Sequence, residues 1–411
     1  MSGEESIAAL GEWEGYGIGS VDRFEAKEPE GREEVWIELL ASRDFDLVCS
    51  SCGRASDKVH DYTERWVRDL PILGATTSLL VHRRRVACDQ CGPRLERLSW
   101  LSPYSRVTTR LAESVARLCQ VASIKHVAEF FGLSWDVVKR IDKAYLKQKL
   151  GPVDLSGLDV VAVDEFALHR GHRYATVVVN PRNKQVLWVG PGKGREAMRA
   201  FLEKLGPQGR SNLQAVVMDM NGAYAVELRE QCPHVEIVYD LFHVVAKYGR
   251  EVIDRVRVDE ANRLREDRRA RRVIKGARWL LLRNRENLAN EEEAVRLEEL
   301  LAANKKLLTV YVLKEDLKHL WDYTYPAAAL RFWKRWYSRA VRSRIEPLKR
   351  FAQRLKAYLH GIISHCRWPL HTSLLEGINN RIKVIKRMAY GFRDQEYFFL
   401  KIRAAFPGNR G

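Results

Sequence analysis

The chain has 411 residues, too many for one ordinary domain, and 46% of them are hydrophobic, which excludes an intrinsically disordered protein. Its 70 basic and 53 acidic residues leave a formal net charge of +17, which favours a polyanionic partner, nucleic acid ahead of an anionic membrane surface. No run of about eighteen apolar residues occurs, which excludes a transmembrane helix. Met1–Leu10 also lacks the basic-then-apolar layout of a signal peptide, so the protein is expected in the cytoplasm.

In chain order, residues 1–103 read as β-rich and loop-rich, with strand character at Val35–Leu40 and Thr77–Ala87. Near the strand ends stand Cys49-Ser-Ser-Cys52-Gly53 and Cys88-Asp-Gln-Cys91-Gly92. Two residues between cysteines let both thiolates face one ion, and glycine after the second permits the tight turn this needs. Four thiolates suit one structural Zn²⁺ and leave no open coordination position. The other three of the seven cysteines, Cys119, Cys232 and Cys366, read as buried small residues, and an odd count argues against a disulfide framework.

Residues 104–150 read as short helices. Ser123 and Ser134 are candidate N-caps, Gly132 sits in the turn between them, and Ile124, Val127 and Ala128 are expected to face Val137, Val138 and Ile141. The outward face of the second helix then carries Trp135, Lys139, Arg140 and Lys143, the layout of a recognition helix for the major groove rather than of a plain helical hairpin. Gly151-Pro152 reads as a linker.

From residue 158 the pattern is α/β. Strands are expected at Asp159–Phe166, Tyr174–Asn180, Gln185–Val189, Leu213–Met218 and Val235–Tyr239, with helices at Glu196–Leu205 and Ala223–Glu230, giving a mixed sheet. Val160-Val-Ala-Val-Asp164 and Ala215-Val-Val-Met-Asp219 each end a buried strand with an acid. Neighbouring strands would bring the two carboxylates together, which is costly unless a cation such as Mg²⁺ sits between them; the alternative is that each acid caps the next helix. Residues 241–370 read as almost wholly helical, and Arg263–Arg285 is especially basic. Trp333 and Trp336 read as packing residues, although an exposed tryptophan there could stack on a base. Glu291, Glu292, Glu293, Glu298, Glu299 and Glu315 read mostly as solvated helix-surface charges. Glu376 is different. It follows Leu374-Leu375, which can anchor a helix start, and precedes Gly377, which leaves room for a phosphate. Its helix continues through Asn379, Asn380, Arg381, Lys383, Lys386 and Arg387, suited to a phosphodiester substrate. A break is expected near Gly391.

The order strand–Asp, strand–Asp, helix–Glu resembles the RNase H-like core of DDE transposases. The run from Glu376-Gly-Ile-Asn-Asn-Arg to Tyr390-Gly-Phe-Arg393, the segment Asp240-Leu-Phe-His243-Val-Val and the paired cysteines followed by a helix-turn-helix resemble the ISL-three group of bacterial insertion-sequence transposases, from Cys49 to about Arg403. The resemblance implies Asp164, Asp219 and Glu376 as catalytic carboxylates holding two Mg²⁺ (or Mn²⁺) ions. One would activate water or a 3′-hydroxyl and the other stabilise the leaving oxygen, ~4 Å apart, with Asp164 bridging both. Asp240 and His243 match a motif of the group; Asp240 would assist the metal or cap a helix, and His243 would be structural or touch DNA. The expected DNA contacts are Trp135, Lys139, Arg140, Lys143, Asn380, Arg381, Lys383, Lys386 and Arg387.

The expected fold is multidomain α/β. A β-rich N-terminal region with the zinc ribbon (1–103) and a helix-turn-helix (104–150) precede the first part of an RNase H-like core (151–243). A helical insertion (244–370) and the core's C-terminal helix and tail (371–411) complete it. The expected function is a DNA transposase that binds terminal inverted repeats as a homodimer on paired ends, cuts them and joins them to target DNA. It would work at the nucleoid, with no membrane partner. A DNA-binding regulator without catalysis and a nuclease that cuts without joining are the alternatives.

Overall fold

The computed structural model describes residues 12–25, 32–169, 173–283, 285–370 and 373–408, without the side chains of Ser373 and Leu374. The chain divides into two compact units, residues 1–151 with 388–392, and residues 152–387 with 393–411.

The first unit is built on strands β1 (Tyr16–Phe24), β2 (Glu34–Ala41), β3 (Leu47–Val48), β4 (Ala55–Ser56), β5 (Val59–Ile72), β6 (Ala75–Cys88) and β7 (Gly92–Leu95). The main sheet runs β1-β2-β6-β5, with β7 paired to β6. The long β5–β6 hairpin carries most of it, and alternation along β6 buries Leu79 and Val81 against Ile37, Leu39 and Val67. Two polar clusters lie inside. Glu96 pairs with Arg84 at 2.8 Å and accepts from the Tyr16 hydroxyl. Asp69 accepts from Trp13 Nε1 (2.9 Å), Thr108 Oγ1 (2.6 Å) and Arg110 Nε (2.8 Å), which ties β5 to the start of the first helix.

Three helices follow: α1 (Thr109–Leu118), α2 (Ile124–Phe131) and α3 (Trp135–Leu150). Ser123 accepts from the His126 amide and Ser134 from the Val137 amide, so both expected caps are present. Gly132 ends α2 at φ 60°, a left-handed conformation that favours glycine. Val127, Ala128, Phe131 and Val138 close a core with Leu111 and Val115.

The second unit contains β8 (Val160–His169), β9 (Arg173–Asn180), β10 (Gln185–Pro191), α4 (Arg195–Asn212, broken at Gly206-Pro207), β11 (Ala215–Met218), α5 (Gly222–Gln231) and β12 (Glu236–Tyr239). Its sheet runs β10-β9-β8-β11-β12; β8, β9 and β10 are antiparallel, and β11 and β12 run parallel to β8. All five strands overlap the segments that the sequence pattern assigns to them, β8 running further, to His169. Beyond β12 come α6 (Leu241–Tyr248), a π-helical turn (Gly249–Ile253), α7 (Asp254–Arg263), α8 (Arg268–Gly276), α9 (Arg278–Leu282), α10 (Glu291–Ala303), α11 (Lys305–Lys318), α12 (Pro326–Arg342), α13 (Glu346–Leu355) and α14 (Leu359–Ile363). After these, α15 (Ser373–Met388) and α16 (Gln395–Ala405) flank a break in which Gly391 has φ 104°. Trp333 and Trp336 are buried and stacked 5.3 Å apart, and Trp336 Nε1 donates to the Leu313 carbonyl, so they are packing residues and no base can reach them. Among the described residues no helix is long and apolar enough to cross a membrane.

Candidate active site and metal centre

The two cysteine pairs meet through two hairpins. The β3–β4 turn carries Cys49 and Cys52, and the β6–β7 turn carries Cys88 and Cys91. A bridge between Cys49 and Glu96 and the bond from Arg97 N to the Val48 carbonyl (2.7 Å) hold the turns side by side. Gly53 and Gly92 have φ of 74° and 68°, as the tight turns require. The four sulfurs lie within 4.8 Å of one another, and Cys52 Sγ is 3.6 Å from Cys88 Sγ. Tetrahedral Zn–S bonds of about 2.3 Å imply sulfurs about 3.8 Å apart, so the cluster fits zinc. The backbone N–H of Cys52 holds the Cys49 thiol down to about 7, while the neighbouring Cys52 thiol pushes Cys91 up to about 12. A dication would relieve that crowding of like charge.

In the second unit, β8, β11 and β12 are adjacent and parallel. Val217 pairs with Ala162 on one side, and Met218 pairs with Tyr239 on the other. Two residues beyond Val217 and Ala162 stand Asp219 and Asp164, and one residue beyond Met218 and Tyr239 stand Asp219 and Asp240, so three aspartates form one row. Sequence reasoning placed Asp164 at the end of its strand. Instead β8 continues to His169, because pairing to β9 persists after pairing to β11 has stopped. Asp219 is not a helix cap either: Asn221 caps α5, accepting from the Ala223 amide. Asp240 does cap α6, and its other oxygen meets His243 Nδ1 at 2.9 Å.

Burial pushes Asp164, Asp219 and Glu165 above the usual carboxylate range. Asp219 repels the charge on both Asp164 and Glu165, while His243 opposes the shift at Asp164 and Asp219. His243 is raised, first by its bond to Asp240 and then by the charge of Asp164. Glu165, which accepts from Asn221 Nδ2 (3.2 Å), had no signal in the sequence beyond following Asp164.

Leu375, Ile378 and Ile382 bury one side of α15, while Glu376, Asn380, Arg381, Lys383 and Arg387 are exposed. Leu374 lies outside the described side chains. Asn379 Nδ2 donates to Asp164 Oδ2 at 2.6 Å, and Lys386 Nζ to the Ala167 carbonyl at 3.1 Å, so the helix is fastened along β8. Lys386 is thus partly engaged by the protein itself, and Lys383 Nζ reaches Asn380 (3.2 Å). Residues three apart on a helix are neighbours, so Glu376 stands beside the Asp164–Asn379 contact. The amide oxygen of Asn379 is buried with no partner in the protein. Carboxylates and an amide oxygen are the donor set of a hard divalent cation. Among the described residues, though, the four cysteines are the set of three or more side chains whose ligand atoms all lie within 4.8 Å. Glu315, read from sequence among the solvated acids, instead pairs with buried Lys314 at 2.9 Å.

On α3, Trp135 and Arg140 are exposed, Lys139 and Lys143 are half-buried, and Lys139 Nζ lies 5.5 Å from the Trp135 ring centroid.

A four-cysteine ribbon, a capped helix-turn-helix and an α/β sheet edged with buried acids together define a DNA-processing enzyme of the DDE transposase class. Family comparison agrees along the chain. Residues 161–402 match the family of ISL3 described as a transposase, residues 96–146 match the helix-turn-helix domain of transposase family ISL3, and residues 47–91 match the zinc-finger of transposases IS204, IS1001, IS1096 and IS1165. The chain belongs to the ISL3 family of DNA transposases. It is 56% identical over 411 residues, all of both chains, to the transposase for insertion sequence element IS1001 of Bordetella parapertussis. It is 26% identical over 394 residues, 90% of this chain and 88% of the relative, to the transposase for insertion sequence element IS1557 of Mycobacterium tuberculosis.

Proposed function

We propose that this transposase binds the terminal inverted repeats of its element, cuts the DNA there and joins the ends to a target, using an RNase H-like core in which Asp164, Asp219 and Glu376 hold Mg²⁺ or Mn²⁺. The observation that carries the reading is the aspartate row together with the Asn379–Asp164 bond, which brings the Glu376 helix to that row. The sheet order β10-β9-β8-β11-β12, with the acids on its central and parallel strands, supports the core assignment. When bound, two such ions supply Lewis acidity to the attacking and leaving oxygens of a phosphodiester. The protein's own share is positional. Asn379 orients the Asp164 carboxylate, Asp240 orients the His243 ring, and the exposed basic face of α15 takes the DNA backbone, while open space around Gly377 admits it. Trp135, Lys139, Arg140 and Lys143 would read the repeat. The division into 1–103, 104–150, 151–243, 244–370 and 371–411 belongs to the same proposal, as do a homodimer holding two ends and action at the nucleoid in the cytoplasm.

The test is Glu376→Gln, which keeps shape and removes charge. Metal-dependent cleavage of an end duplex is expected to vanish while end binding persists. The control is Glu299→Gln, at an exposed position on α10, which should cleave normally. Glu315 cannot serve as that control, because its loss would strand buried Lys314. Substantial cleavage by Glu376→Gln would move the third ligand to Asp240.

A further inference from the structure

Two neighbouring residues of β5, Arg68 and Asp69, grip the helix-turn-helix at two places. Asp69 accepts from Thr108, the N-cap of α1, and from Arg110. The Arg68 amide donates to the Arg106 carbonyl (2.9 Å) and the Thr108 amide to the Arg68 carbonyl (3.0 Å), so β5 also pairs with the chain that enters α1. The Arg68 side chain reaches the turn between α2 and α3. It donates through Nη2 to the Phe131 carbonyl (3.3 Å) and through Nη1 to the Gly132 carbonyl (3.4 Å). Arg32, two residues ahead of β2, donates through Nη2 to the Glu129 carbonyl (3.0 Å) and through Nη1 to the Phe130 carbonyl. These four carbonyls follow one another at the C-terminal end of α2, where a helix runs short of its own donors and its dipole is negative. The arrangement is costly. Burial first, and then the neighbouring charge of Arg32, disfavour the Arg68 cation, with some relief from Glu34. Arg68 Nε is also buried with no acceptor among the described residues. Taking a guanidinium out of water for two long bonds adds little to stability, so its effect is sought in what it orients.

We infer that Arg68 and Arg32 are positioning residues for DNA recognition: they hold the turn by its carbonyls and so set the angle at which α3 is presented to the terminal repeat. Four consecutive carbonyls bound by two arginines of the sheet carry the inference. It rests on the reading of α3 as the recognition helix. Ser134, the N-cap of α3, stands two residues after Gly132, so a tilt of the turn passes directly into α3. The helical core does not fix that tilt alone, because it is small and β5 itself packs Leu70 against it. Hydrogen bonds to base edges need distance and angle together and are lost on a small rotation, whereas contacts from long basic side chains to phosphate tolerate it. Arg68 therefore acts through α3, and its loss shows as lost discrimination between sequences. This gives the β-rich region a task in reading DNA besides carrying the four cysteines.

The experiment uses the full chain and measures binding of a terminal-repeat duplex and of a random duplex, at several salt concentrations and without added divalent metal, so that binding is read apart from cleavage. Arg68→Ala is expected to weaken binding of the repeat about tenfold, the worth of one base contact, and of the random duplex less than about twofold. Arg68→Lys keeps a cation that can reach the carbonyls and should restore part of the discrimination. Arg32→Ala removes an exposed side chain, leaves the core untouched and should lower discrimination in the same direction. Added to Arg140→Ala, Arg68→Ala should cost little more, because the contact it aligns is already gone. Should Arg68→Ala fail to fold, Arg32→Ala with and without Arg140→Ala makes the same comparison. The proposal is overturned if Arg68→Ala weakens both duplexes equally and the salt dependence falls by about one phosphate contact, which would place Arg68 on the DNA backbone. It is equally overturned if the losses from Arg68→Ala and Arg140→Ala simply add, or if neither Arg68→Ala nor Arg32→Ala changes discrimination. Arg140→Ala without effect on either duplex would instead remove α3 as the reader, so the two readings fail separately.

Discussion

Glu227 shows how a single buried acid can hold two elements together. It lies on α5, is almost inaccessible, and accepts from Arg195 Nε (2.8 Å) and Arg199 Nε (2.8 Å) on α4. Arg199 first, then Arg195, holds its carboxyl down to about 2. A depressed carboxylate contributes stability that is fully present above its unfolded value near 4.5 and lost as pH falls through its folded value. Glu227→Gln is therefore expected to lower stability by about 1–2 kcal/mol at neutral pH, the figure being discounted because both arginines are solvent-accessible. The deficit should shrink as pH falls from about 4.5 toward 2. Denaturant unfolding of variant and parent across that range checks it, and a deficit independent of pH would show that packing, not charge, is lost. This residue's weight is not legible in the sequence, since the two arginines lie 32 and 28 positions away and only the packing of α4 on α5 brings them near.

At the scale of elements, helix signals were the most legible. The caps Ser123 and Ser134, the turn at Gly132 and the apolar spacing of α2 and α3 are local chemistry, and each is present as read. They leave Arg140 exposed on the first half of α3. If α3 lies in the major groove, Arg140→Ala should weaken binding to the element's end by about 1–3 kcal/mol and random DNA by less, measured by competition at fixed salt. Equal loss on both would make Arg140 a phosphate contact, and no loss would take α3 out of the interface. Strands were less legible where the partner strand sets their length. β8 runs past Asp164 through its pairing to β9, and its own residues carry no mark of where that pairing ends.

Across the whole molecule, the two units have separate hydrophobic cores. One is gathered around Leu39, Leu79 and Val81, with a helical core around Val115 and Val138, and the other runs from Val161 to Ile362. Among the described residues the four-cysteine zinc cluster lies within the first unit. Cys88→Ser should release the ion and lower the melting temperature of the N-terminal unit, while the second unit keeps its own transition. Elemental analysis and calorimetry check this, and protein that holds no zinc when purified without chelator would sink the assignment. Cys88 is the informative position because it is buried at the end of β6, so losing the ion there also loosens the β6–β7 turn.

By itself the sequence determined what is local or strictly periodic: the two cysteine knuckles, the capped helices and the five strands of the α/β sheet. Only the tertiary structure could decide what depends on register between strands and on which helix face packs inward. That is how Asp240 joined Asp164 and Asp219 in one row, how Asn379 rather than a basic residue came to touch Asp164, and how Trp333 and Trp336 were buried while Trp279 was left exposed. The physical reason is the same in each case. Cap and turn energies arise within a few residues, whereas burial and carboxylate crowding arise between residues that are neighbours only after the sheet has paired and the helices have packed.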